Sequence, residues 1–172
     1  MQYITLMNKN NMKPNATAIA NHFIDLAKED GVELRQLGLM KRVYITHGFA
    51  LAVLDRPAID SRFDKVEAWK NGPVIPSVYH SFKHNQNNPI TEKSVFSDWS
   101  SPETSFYIPE LKDNEIKQVA EFVWNRYKEL NDFQMVELTH KDGTPWKACY
   151  LAEMNMPIPD AYTKLYYKTL LL

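Results

Sequence analysis

The sequence predicts a mainly α fold: a compact single-domain helical bundle around a buried central helix, with a long irregular segment carrying one or two short β-strands. Three observations predict it. Apolar residues recur at helical spacing in several windows, one of those windows is apolar on every side, and residues 85–111 show no period at all. At 172 residues the chain suits one domain with a sizeable core, and residues 1–14 read as an extension ahead of it.

The elements follow in order. A first helix is expected from about Ala16 to Glu29, because Ala16, Ile19, Ala20, Phe23, Ile24 and Ala27 share a face and Gly31 is a natural stop. The second, from about Leu34 to Leu54, carries Leu37, Met40, Val43, Tyr44, Ile45, Phe49 and Leu51 around nearly the whole wheel. A helix apolar all round is a buried one, so this is the expected centre of the bundle. His47 falls on an apolar face there and reads as a core histidine with a satisfied ring. Arg56-Pro57 stops the helix.

A third strong helix should open at the N-cap Asp113 and run to Leu130, with Ile116, Val119, Ala120, Val123, Trp124 and Tyr127 in one stripe. Phe122 lies off that stripe, on the polar side. Phe133 to His140 forms a shorter helix. Thr144 and Pro145 are placed to cap and open the next, and a last helix begins near Pro159 and runs through Leu165 toward Leu170. In the irregular stretch the strands are expected around Val95 and Phe106.

Composition excludes several classes. Apolar residues at 44% and charged residues at 24% are globular usage, and a net charge of -1 is not the balance that neutralises a phosphate backbone. No apolar run reaches the length of a membrane helix. The opening MQYITLMNKNNMKPN lacks the zones of a secretory signal, and a single cysteine, Cys149, excludes an intrachain disulfide. The reading is a cytoplasmic protein, with no membrane partner and nucleic acid disfavoured.

The stretch VEAWKNGPVIP, residues 66–76, is the strongest local signal. Phe63, Val66 and Trp69 recur at helix-like spacing, and Asn71 and Gly72 end whatever element carries them. A residue before proline is driven out of the helical region, and glycine escapes into positive φ. Pro73 fixes its own φ, so the chain turns with little freedom. After Pro76, Ser77 is placed to cap a short helix whose Val78, Tyr79 and Phe82 share a face. Trp69 then either packs against that face or the central helix, or helps the corner present its backbone to a partner.

Constellations that resemble catalytic or metal chemistry are weak. His80 and His84 sit four apart, but no carboxylate or cysteine completes a ligand set, so no metal is expected. His140, Asp142 and Cys149 have the residue types of a Cys-His pair, yet Cys149 after a tryptophan reads as a small buried core residue. His140 reads as a buried polar group in need of a partner, such as a backbone carbonyl beside the Gly-Pro corner. Lys41 and Arg42 do not make a basic patch. No nucleotide-binding motif is present, and no cofactor is expected.

These residues resemble a known family. The series Ala68, Trp69, Gly72, Pro73, Val74, Pro76, Tyr79, Phe82 and Lys83 is similar to the core signature of the Panacea domain. This is the SocA-like antitoxin family, which includes phage-associated proteins of the GepA type. Lys41 and Tyr44 in the second helix fit its pattern. Downstream, Leu138, Thr139, His140, Pro145 and Trp146 resemble its LTH, short loop, PW motif. One departure is Arg42-Val43 after Lys41, where the family commonly has Leu-Leu. The resemblance spans roughly Ala16 to Tyr167. It implies a protein-binding module and no enzyme: an antitoxin that neutralises a toxin or effector directly, in some members as an adaptor to a protease. It also suggests that His140, Trp146 and Trp69 pack around one site. Trp99, Phe106, Tyr107 and Phe122 are the candidate partner anchors, as aromatic residues in the irregular stretch and on the third helix. The competing readings are a small hydrolase with His140 as general base, and a phage or prophage regulatory protein.

Overall fold

The computed structural model describes residues 15–98 and 105–172. The proposed extension 1–14 and the candidate anchor Trp99 lie outside them. Helix α1 (Asn15–Asp30) leads to α2 (Gln36–Val53), and a hairpin follows, β1 (Glu67–Trp69) and β2 (Gly72–Val74). Next come α3 (Pro76–Phe82), a 3₁₀ turn over Lys83–Asn85, and a second hairpin, β3 (Phe96–Asp98) and β4 (Ser105–Tyr107). The chain finishes with α4 (Asn114–Tyr127), α5 (Asp132–His140), α6 (Pro145–Cys149), β5 (Met156–Pro157) and α7 (Asp160–Thr169). The mainly α expectation holds.

Helix α2 is the axis of the bundle, as its all-round apolar pattern predicts. Fifteen of its residues are buried, and it touches α1, α3, α4, α5, α7 and β2. Two glycines set how closely neighbours approach. A Cβ on Gly48 would collide with the Tyr167 ring of α7, and one on Gly38 with the Asp132 carboxylate of α5. Arg42, buried with Lys41 in the same helix, donates from Nη2 to the carbonyls of Tyr127 (2.9 Å) and Leu130 (3.0 Å). It therefore ties down the turn that follows α4, where the Tyr127 carbonyl also accepts from the Leu130 amide at 3.0 Å. Its guanidinium also lies 5.6 Å from the Trp124 ring centroid, and burial lowers its pKa to about 10.

Local signals place most of the other ends. Asp113 caps α4, accepting from the amides of Glu115 and Ile116, and Asn131 with Gln134 forms a capping box on α5. The Thr144 hydroxyl accepts from the Lys147 amide, with Pro145 in the first turn of α6. At α3 the structure corrects the sequence reading. Ile75 occupies the cap position, Pro76 begins the helix, and no side chain caps it, so Ser77 lies inside.

A larger correction concerns residues 63–69. Phe63 is an exposed turn residue, and Glu67–Trp69 is a strand, so the helix-like spacing of Phe63, Val66 and Trp69 is accidental. The strand is central in a sheet of order β2-β1-β5, which the sequence does not announce. Both pairings are antiparallel, with Trp69 opposite Gly72 and Ala68 opposite both Pro73 and Met156. Pro73 is tolerated because β2 is an edge strand. The second hairpin forms where strands are expected, with Ser97 opposite Phe106.

Candidate functional site

The turn of the first hairpin, the middle of α2, the end of α5 and the start of α6 meet in one polar knot. Gly72 has φ +105°, the conformation expected of a glycine before proline at this corner. Space demands glycine as well. A Cβ here would stand 2.7 Å from Lys41 Nζ and 2.9 Å from His140 Nε2. The Lys41 side chain, fully buried, passes under the hairpin and donates from Nζ to the Pro73 carbonyl at 3.0 Å. Desolvation lowers its pKa to about 7, since no carboxylate offsets the loss of water.

His140 lies flat on Trp146, with ring centroids 3.8 Å apart and planes within 1°. Tyr150 also stacks on Trp146, at 4.7 Å. Trp146 is tied down by its indole, Nε1 donating to the Trp69 carbonyl at 2.8 Å. Trp69 itself packs edge-on against Tyr79 of α3 at 4.9 Å and donates from Nε1 to Glu67 Oε2 at 2.7 Å. The structure therefore brings Trp69, Gly72, Pro73, His140 and Trp146 together, and the corner is a packed hairpin turn.

His140 is half-buried, less than the sequence reading requires, and its Nε2 has no hydrogen-bond partner. Burial, and then the nearby Lys41 ammonium, hold its pKa below the ordinary histidine value, while the Asn71 carbonyl at the corner pulls the other way. The remaining motif residues differ in exposure. Ala68, Val74 and Phe82 are core, Pro76 opens α3, and Lys83 is exposed in the 3₁₀ turn. Thr139 is buried, its hydroxyl donating back to Val136 and Met135 within α5.

Other expectations resolve separately. His47 is buried and holds Asp160 Oδ1 at 2.9 Å through Nε2, but its Nδ1 is unpartnered, so the core-histidine reading holds for one ring nitrogen. Cys149 is partly buried rather than a core residue, and desolvation raises its thiol pKa. His80 and His84 are exposed, and the helix ends between them. Among the described residues no group of three or more His, Cys, Asp or Glu side chains could hold a metal ion, and no helix is long and apolar enough to cross a membrane.

The candidate anchors divide. Phe106, on β4, is 69% exposed and Tyr107 is half-buried beside Phe96. With Val95, Ile108 and Leu111 they border an open groove of about 970 Å³, whose far wall carries Arg56 and Asp113. Phe122 is elsewhere, its ring edge-on to Phe49 of α2 at 5.1 Å with its outer edge in solvent.

A family model described as "Antitoxin SocA-like, Panacea domain" matches residues 39–147, from within α2 to within α6. The chain belongs to the SocA-like Panacea family. Antitoxin SocA of Caulobacter vibrioides (strain NA1000 / CB15N) is 32% identical over 132 residues, a span of 77% of this chain and 68% of that protein. No solved structure matches. Lys41, Trp69, Gly72, Pro73, His140 and Trp146 lie inside the span that matches the Panacea family model, whereas Tyr150, β5 and α7 lie beyond it. The sequence missed what Lys41 does. Its signal is a cation in a helix that offers no solvent-facing side.

Proposed function

We propose that this protein is an antitoxin that neutralises a toxin or effector protein by binding it directly, with no reaction of its own. Family membership carries the reading, and the relative named Antitoxin SocA supports it. The polar knot is then scaffold: the lysine, the histidine and two tryptophans fix the hairpin against the bundle. Binding falls to the second hairpin, where Phe106 stands in solvent beside a groove of mixed apolar and charged lining. Exposed aromatic rings beside a depression are the kind of residue that carries binding energy once desolvated. Delivery of the captured toxin to a protease is a further step open to the same complex.

Co-expression tests this. The product of the neighbouring open reading frame should arrest growth, and this chain should restore it. Phe106→Ala should abolish rescue while leaving the helical circular-dichroism signal intact. Rescue that survives loss of Phe106 would move the binding surface elsewhere. Degradation of the toxin only when this chain and a cellular protease are both present would identify an adaptor.

The competing hydrolase reading rests on one observation, the unpartnered Nε2 of His140. Against it, that ring is stacked on Trp146 and crowded by Lys41 beneath the hairpin. A His140→Gln variant that still rescues growth would remove this reading.

A further inference from the structure

The geometry points to a second, unassigned site: the pocket of about 260 Å³ between α2, α4, α5 and α7 is a receptor for a small aromatic anion. Its walls are aromatic. Tyr44, Tyr127, Tyr166 and Tyr167 all border it, with Tyr44 and Tyr167 edge-to-face at 5.9 Å and Tyr166 and Tyr167 at 5.3 Å. A flat ring entering there finds both faces and edges to pack against.

Its charge is positive. Arg126 and Lys141 line the pocket, and neither has a carboxylate within ion-pair distance among the described residues. The helix ends that reach the pocket would oppose an anion through their carbonyls. At α4 that opposition is already met, because Arg42 occupies the carbonyls of Tyr127 and Leu130 and adds a third cation behind the wall. Deeper, and sealed from the pocket, the buried Tyr44 hydroxyl has the Thr163 hydroxyl of α7 as its neighbour. Two cations without a carboxylate partner, beside an aromatic wall, are what an acidic group on a flat ring would satisfy. The pocket therefore offers a ring slot and an anion slot together.

A free aromatic acid and the C-terminal aromatic residue of a protein share this chemistry. Phenylacetate is the probe for the first, and the tetrapeptide Gly-Ser-Gly-Phe for the second. Benzyl alcohol and the amidated tetrapeptide are the uncharged controls. Titrated into the full chain and followed by amide NMR shifts, at least one acid should bind at millimolar concentration, with shifts at residues 44, 126 and 166, and its uncharged control should not. Phenylacetate alone would identify a free ligand; the tetrapeptide alone would identify a protein terminus. The double variant Arg126→Gln, Lys141→Gln should weaken binding roughly tenfold or more, the scale of a charge-assisted hydrogen bond. Leu170→Trp, at the pocket wall, should block it without touching a charge. No shift with either acid, or equal shifts with the uncharged controls, overturns the proposal. A chain that rescues growth from the toxin yet ignores both acids disproves this pocket alone, since neutralisation is read separately.

Discussion

The two hairpins use aromatic residues in opposite ways. In the first, Trp69 and Trp146 are spent inward: each indole N–H has an acceptor, and Trp146 stacks with both the His140 and Tyr150 rings. In the second, Phe106 is turned out, and the groove below it is open. The contrast separates a part that holds shape from a part available for contact, although both are three-residue antiparallel ladders. Backbone geometry alone does not distinguish them. What differs is whether the aromatic side chains of the strands are packed under other elements or left in solvent.

Trp146→Ala should break the comparison most strongly. It removes a large buried ring and the tie to the Trp69 carbonyl, and should cost about 3–5 kcal/mol in urea unfolding. Amide exchange should accelerate in residues 67–74 more than in residues 105–107. If both hairpins loosen equally, the knot does not act on the first alone. Gly72→Ala comes next, at about 2–3 kcal/mol, from forcing a side chain to positive φ and into Lys41 and His140.

Lys41→Met sharpens the comparison through pH. The folded pKa of Lys41, about 7, lies below its unfolded value, so between these values the unfolded chain binds more protons and stability rises with pH. The burial cost is therefore fully present below pH 7 and relieved toward pH 10.5. His140 adds the same sign, its lowered pKa removing stability as pH falls below 6.5. The variant should flatten the alkaline rise and leave the acid limb. An unchanged alkaline slope would mean that Lys41 keeps its proton in the fold. Phe122→Ala should cost only about 1 kcal/mol, the scale of one edge-to-face pair on a half-exposed ring. Phe106→Ala should change stability by less than about 0.5 kcal/mol, and any loss it causes should appear in binding.

The long helices were legible because their signals are local and redundant. Asp113, Asn131 and Thr144 cap where short polar residues are expected to, and the all-round apolar α2 is buried along its length. The β2-β1-β5 sheet was not. Strands of two or three residues are too short to show alternation, and β1 and β5 lie almost ninety positions apart. The helix-like recurrence of Phe63, Val66 and Trp69 then filled the gap with the wrong element. Of the site, the motif residues could be named from resemblance and the Gly72 turn from backbone sterics. The places of Lys41 and Arg42 could not, because lysine and arginine are normally read as surface residues. Their neighbours in α2, with no face left for water, held the clue.

The indole–carbonyl tie between Trp146 and Trp69 spans 77 positions. During synthesis the Gly-Pro corner would leave the ribosome long before its fastener does. Until α6 follows, Lys41 has only an unlatched loop above it, through which water can reach the ammonium. The nascent protein should thus carry a charged, hydrated lysine at its centre and dry it only when the last third of the chain arrives.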